Sequence, residues 1–139
     1  LMIILGNYLD QNPVGQVWIT PGVIFDELNS AIPDLVFIAK ERIPQIASGI
    51  HIVGAPDLAI EILSPGAENT RRDNIVKRQT YAKFGIKEYW IVDPVVELIE
   101  ISRLQETVLA SIGKFRNEDE ITSPLLPDLS FCVKDVFRR

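Results

Sequence analysis

Three carboxylates interrupt runs of hydrocarbon in this chain: Asp34 in IPDLVFIA, and Asp57 and Glu61 in PDLAIEILSP. Burying an ionised carboxylate without a partner is so unfavourable that the group protonates or finds a cation. Read as a strand, the second segment puts Asp57, Ala59 and Glu61 on one face. At about 3.3 Å per residue, however, the two acids stand about 13 Å apart, too far to share an ion. A neighbouring strand lies only about 4.8 Å away, so pairing of the two segments would bring Asp34 to Glu61 or to Asp57. Two carboxylates about 4 Å apart repel by roughly 4 kcal/mol at an effective dielectric near 20, which calls for a cation or a shared proton. Oxygen ligands of this kind, with room for water, suit Mg²⁺ or Mn²⁺. Plainer roles compete. Asp34 and Asp57 each follow a proline and can open a strand while hydrogen-bonding backbone at a turn; Glu61 sits mid-strand, where no turn accounts for it.

Downstream, Asp73, Lys77 and Tyr81 recur at i, i+4 and i+8 and form one stripe of a helix. Ile75 and Ala82 fall roughly opposite, so the helix is expected to pack one face on a sheet and offer the other to a site or to solvent. The ordinary roles here are an i, i+4 ion pair of Lys77 with Asp73, a capping function for Asp73 and packing for Tyr81. Six of the chain's 14 basic residues (Arg71, Arg72, Lys77, Arg78, Lys83, Lys87) fall between positions 71 and 87. Such a cluster is either a solvated helix face or a surface that meets phosphate. The net charge of −5 argues against a protein that coats nucleic acid indiscriminately, but permits a local basic patch. One Cys and one His make no zinc constellation. Cys132 reads as a plain buried thiol, and His51 falls in an expected loop.

The elements that must position these groups follow from periodicity. Residues 1–11 have a helical rhythm stopped by Asn12, Pro13 and Gly15. Strands are expected at 16–20 and 23–26, flanking Pro21-Gly22, then at IPDLVFIA and DLAIEILS, with a short helix or loop between 40 and 55. Ser64-Pro65-Gly66 reads as a turn, and Thr70 with Asp73 as a capping box opening a helix that ends at Gly85. Further strands are expected at 88–93, 96–102, 107–111 and 129–133. This is an α/β or α+β arrangement on a mixed sheet, and 139 residues suit one domain. No uncharged apolar run approaches the roughly 20 residues that cross a bilayer, so no membrane partner is expected. The lone cysteine and the lack of a leader pattern favour a cytoplasmic setting.

The ordered series IPDLVFIA, PDLAIEILSP, the Asp73/Lys77/Tyr81 stripe, GIKEYWIVDP and ITSPLLPDLSF resembles the Uma-type putative restriction endonuclease family, a branch of the PD-(D/E)XK nuclease superfamily, over nearly the whole chain. The resemblance implies a restriction-endonuclease-like core, a mixed β-sheet flanked by helices, in one nuclease-like domain over residues 1–139. It also implies Mg²⁺- or Mn²⁺-dependent endonuclease hydrolysis of nucleic-acid phosphodiester bonds, with DNA as the expected partner. Asp34 matches the superfamily's metal-binding Asp, and Glu61 the acidic member of the (D/E)XK element. The lysine of that element should stand two positions on, where this chain has Leu63. Lys77 would instead reach in from the helix to assist the attacking water. Asp57, Asp73 and Tyr81 are candidate supporting residues, and Arg71, Arg72 and Arg78 candidate nucleic-acid contacts. Family members carry an additional N-terminal segment with a further acidic residue, so the chain is expected to lack that segment and one ligand. Two cuts on a duplex would favour a two-fold homodimer. Two readings compete: a catalytically inactive nuclease-fold binding or interaction module, and a metal-assisted hydrolase of a small phosphorylated substrate.

Overall fold

The computed structural model describes residues 1–64 and 70–138, the side chains of residues 70–72 excepted. Helix α1 (Met2–Gln11) leads to strands β1 (Gly15–Ile19), β2 (Gly22–Ile24), β3 (Ser30–Ala31) and β4 (Leu35–Ala39). A 3-10 turn at Lys40–Arg42 continues into the single-turn helix α2 (Ile43–Ile46) and strands β5 (Ala47–Ser48), β6 (His51–Val53) and β7 (Leu58–Ile62). Helix α3 (Thr70–Lys83) precedes β8 (Glu88–Asp93), β9 (Leu98–Gln105), β10 (Val108–Arg116), β11 (Glu120–Ser123), β12 (Leu126–Cys132) and the short helix α4 (Val133–Val136).

The main sheet has six strands in the order β1-β4-β7-β8-β9-β10. Only β7 and β8 run parallel. Parallel neighbours need a long crossover, and α3 supplies it, which is what lays the helix over this part of the sheet. On one face, Phe37, Ile60, Trp90 and Ile101 pack with Leu5 of α1 and with Ile121 and Phe131 of the β11–β12 hairpin. On the other, Ala59, Tyr89 and Ile91 pack with Tyr81 of α3. Beside them, Val36 and Ile38 meet Val23 and Ile52 of a second, four-stranded sheet ordered β3-β2-β6-β5. Covering both faces explains why β4 and β8 read as near-continuous hydrocarbon.

The helix ends as the sequence suggests: Gly85 has φ +85°, and the Ile86 amide returns to the Tyr81 carbonyl at 3.0 Å. Other expectations need correction. The 40–55 stretch contains β5 and β6 as well as a helical turn, so His51 lies in a strand. The strand expected at 96–102 begins at Leu98, with Val96 and Glu97 in the preceding turn, and with the 107–111 run it belongs to the longer β9–β10 hairpin; β11 is a strand beyond those expected. Cys132 is half-buried rather than buried. Ile75 is 53% exposed. It does not pack because α3 meets the sheet near its C-terminal end, through Tyr81 with Ala82 beside it, while Asp73 and Ile75 in the earlier turns stay exposed. Thr70 and Asp73 do lie in the first turn of α3, whereas the Pro65-Gly66 turn falls outside the described residues.

Candidate active site

Pairing of β4 with β7 sets Leu35 opposite Ile60 and Val36 opposite Ala59. One further step along this antiparallel ladder places Asp34, immediately before β4, opposite Glu61. The Ile62 amide donates to Asp34 Oδ2 at 2.6 Å, fixing the aspartate against the end of β7. Asp34 thus does hydrogen-bond backbone, and it also borders a cleft of about 290 Å³ whose lining includes Glu61, Ser64, Asp73, Asn74 and Lys77.

Glu61 shares the Ala59 face of β7 and points beneath α3, where it is 5% exposed. The Tyr81 hydroxyl donates to Glu61 Oε1 at 2.9 Å, and Lys77 Nζ lies 3.4 Å from the same oxygen. Burial pushes the Glu61 carboxyl above its ordinary value, and the charge of Asp34 pushes the same way. Lys77 and the Tyr81 hydroxyl oppose the rise without cancelling it. Tyr81 is itself driven upward, by burial and then by the Glu61 charge, so it remains a neutral hydroxyl and a donor. Where the (D/E)XK pattern expects a lysine, Leu63 packs at the edge of the core under α3, and the ammonium near the acid comes from the helix.

The remaining candidates separate. Asp57 is fully buried but lies at the other end of β7. Its Oδ1 is 3.0 Å from both Arg42 Nη1 and Lys87 Nζ, and its Oδ2 accepts the Ala39 amide at 2.7 Å. These partners answer its burial, and it does not line the cleft. Asp73 is exposed at the cleft's border. Arg78 turns away from the cleft acids to Glu100, 3.1 Å away. The side chains of Arg71 and Arg72 lie outside the described residues. Sequence reasoning passes over Asn74, which stands at i, i+3 and i+7 with Lys77 and Tyr81; that helical spacing is the signal for it.

The donor set fits a hard divalent cation that keeps part of its water shell, because two carboxylates border a cleft lined mostly by polar side chains and Mg²⁺ is commonly held by one or two. No group of three or more His, Cys, Asp or Glu suited to a metal occurs among the described residues.

Among solved structures, the chain is similar to a putative nuclease belonging to DUF820 from Anabaena variabilis, at 22% identity and a TM-score of 0.77, over 98% of this chain and 75% of that one. The fold is therefore shared with that protein. No curated protein matches the chain. The model of the Uma2 family, described as a putative restriction endonuclease, matches residues 1–134. With so much of its length matched, and with the sheet order and helix placement described above, the chain belongs to the Uma2 family.

Proposed function

We propose that the chain is a metal-dependent endonuclease that hydrolyses phosphodiester bonds in nucleic acid, DNA being the expected substrate. Asp34 and Glu61 would hold Mg²⁺ or Mn²⁺. The observation that carries this reading is the approach of Lys77, from α3, to within 3.4 Å of Glu61 beside Asp34. Three elements distant in sequence thereby bring two acids and an ammonium to one cleft.

When bound, the metal would lower the pKa of a coordinated water and offset charge on the phosphoryl group. Lys77, a donor with three protons, holds the attacking water and faces the negative charge that develops on the phosphate oxygens. Asp34 and Glu61 fix the position at which that charge is met. Asn74 can donate to a substrate oxygen at the cleft's border. Arg71 and Arg72, on the same helix, are assigned to phosphates flanking the scissile one, while Arg78 is engaged by Glu100. Cleavage of both strands would employ a two-fold pair of chains.

The test is thermal unfolding with added Mg²⁺ or Mn²⁺, followed by nicking of supercoiled plasmid, for wild type and Glu61→Gln. A ligand that binds only the folded state raises the melting temperature. The expected result is a rise and nicking in wild type alone. Neither effect at millimolar metal would overturn the reading. A second reading, an inactive nuclease-fold binding module, is favoured by the want of a third acidic ligand among the described residues. It predicts DNA binding with no response to metal.

A further inference from the structure

A buried carboxylate serves a cation only if one of its oxygens faces the ion, and two donors here converge on the other. The Tyr81 hydroxyl and Lys77 Nζ both address Glu61 Oε1, at 2.9 and 3.4 Å. They differ in freedom. The Lys77 side chain is 41% exposed and can turn to water or substrate. Tyr81 is fully buried, with its ring edge-on to Tyr89 at 5.1 Å and tilted against Phe25 at 6.0 Å. A ring held on two sides keeps its hydroxyl in place whatever Lys77 does. Asp34 is tethered in a similar way, its Oδ2 held by the Ile62 amide at 2.6 Å. Asp34 and Glu61 therefore each have one oxygen fixed by the protein.

We propose that Tyr81 is a positioning residue for the metal site: its hydroxyl pins Oε1 of Glu61 so that Oε2 is presented to a divalent cation beside Asp34. This rests on the metal-site reading above. It assigns Lys77 to water and substrate, and to Tyr81 the standing task of orienting the ligand. Outer groups that hydrogen-bond a metal-ligating carboxylate orient it in this manner, and their loss typically weakens metal binding about 10–100-fold.

The experiment measures Mn²⁺ affinity from the paramagnetic resonance signal of the free ion, for wild type, Tyr81→Phe and Tyr89→Phe. Tyr89 is the control because it is equally buried and its hydroxyl has no hydrogen-bond partner among the described residues. Tyr81→Phe is expected to bind Mn²⁺ about 10-fold or more weakly, and Tyr89→Phe as wild type does. Equal affinity in wild type and Tyr81→Phe overturns the inference and leaves the metal site standing. Equal weakening in both variants overturns it too, since loosened packing under α3 would then be the cause. A wild-type chain that binds no Mn²⁺ overturns the metal-site reading and this inference with it. Should Tyr81→Phe fail to fold, the hydroxyl proton of Tyr81 in wild type is followed by NMR as Mg²⁺ is added. A shift confined to that proton supports the inference, and none overturns it.

Discussion

Lys77 and Glu61 meet across two elements, Nζ to Oε1 at 3.4 Å, and among the described residues Lys77 makes no ion pair with Asp73, the partner that helical spacing offers it. The choice of a buried acid over an exposed one argues for a role beyond the helix surface. Lys77→Ala is expected to keep the Mn²⁺-induced rise in melting temperature while lowering plasmid nicking by about 10²-fold or more. Lys77→Arg should not restore the rate, because a planar guanidinium does not substitute for a compact ammonium at a water. Wild-type nicking in Lys77→Ala would return the residue to a purely structural ion pair.

Glu61 is expected to destabilise the chain when no cation is present. Burial raises its carboxyl above the ordinary 4.5, ahead of the opposing effects of Lys77 and Tyr81. A raised carboxyl contributes stability below its unfolded value, and that contribution is lost as pH rises through the folded value. At neutral pH the metal-free Glu61→Gln protein should therefore melt above wild type, and the gap should close as pH falls toward 4.5. Melting curves in EDTA across pH check this. A variant that melts lower at every pH would mean that the ionised carboxylate is a net structural asset.

The acids are legible in the sequence because each stands out against a run of hydrocarbon, Glu61 inside β7 and Asp34 and Asp57 one residue ahead of β4 and β7. Asp34 falls within reach of Glu61 because β4 and β7 are adjacent, and their ladder does the rest. Sequence separates Asp57 from Glu61 only by its place at the start of the strand and not by its partners, since the cations that answer Asp57 come from Arg42, in a 3-10 turn, and Lys87, after the helix. Nothing in local spacing announces such partners. β5 and β6 escape a periodicity reading because they are two and three residues long and exist only through pairing with each other and with β2. The facing of α3 is equally hard to read because its few apolar residues, Ile75 among them, do not define one stripe. Tyr81 and the sheet beneath it decide the orientation.

Two glycines should respond oppositely to alanine. Gly15 opens β1 opposite Ala39, where an added Cβ would collide with the Ile38 carbonyl oxygen and stand 2.6 Å from a Phe37 ring carbon. A backbone oxygen within a sheet cannot step aside, so Gly15→Ala should lose about 1–3 kcal/mol or more. Gly6, inside α1, has open space where a Cβ would stand, with nothing within 4 Å. Gly6→Ala should gain about 0.5–1 kcal/mol from helix propensity. Urea unfolding measures both, and a stable Gly15→Ala protein would show that β1 can shift away from β4.

Asp57 is a buried acid of the opposite kind. Burial alone would raise its carboxyl, but the Ala39 amide, Lys87 and Arg42 outweigh it and hold the group below its ordinary 3.8. A depressed carboxyl contributes stability that is present above the unfolded value and lost as pH falls through the folded one. Acid unfolding should therefore steepen below pH 3.8, and Asp57→Asn should flatten that limb. At neutral pH the variant leaves Arg42 and Lys87 facing each other without their anion. Both side chains reach solvent, at 27% and 56% exposure, so the loss should be about 2–4 kcal/mol rather than the most that a broken buried pair can cost. Asp57→Asn should retain the full Mn²⁺-induced rise in melting temperature, because its carboxylate sits at the far end of β7 from the cleft. Loss of that rise in a folded variant would bring Asp57 back into the metal site.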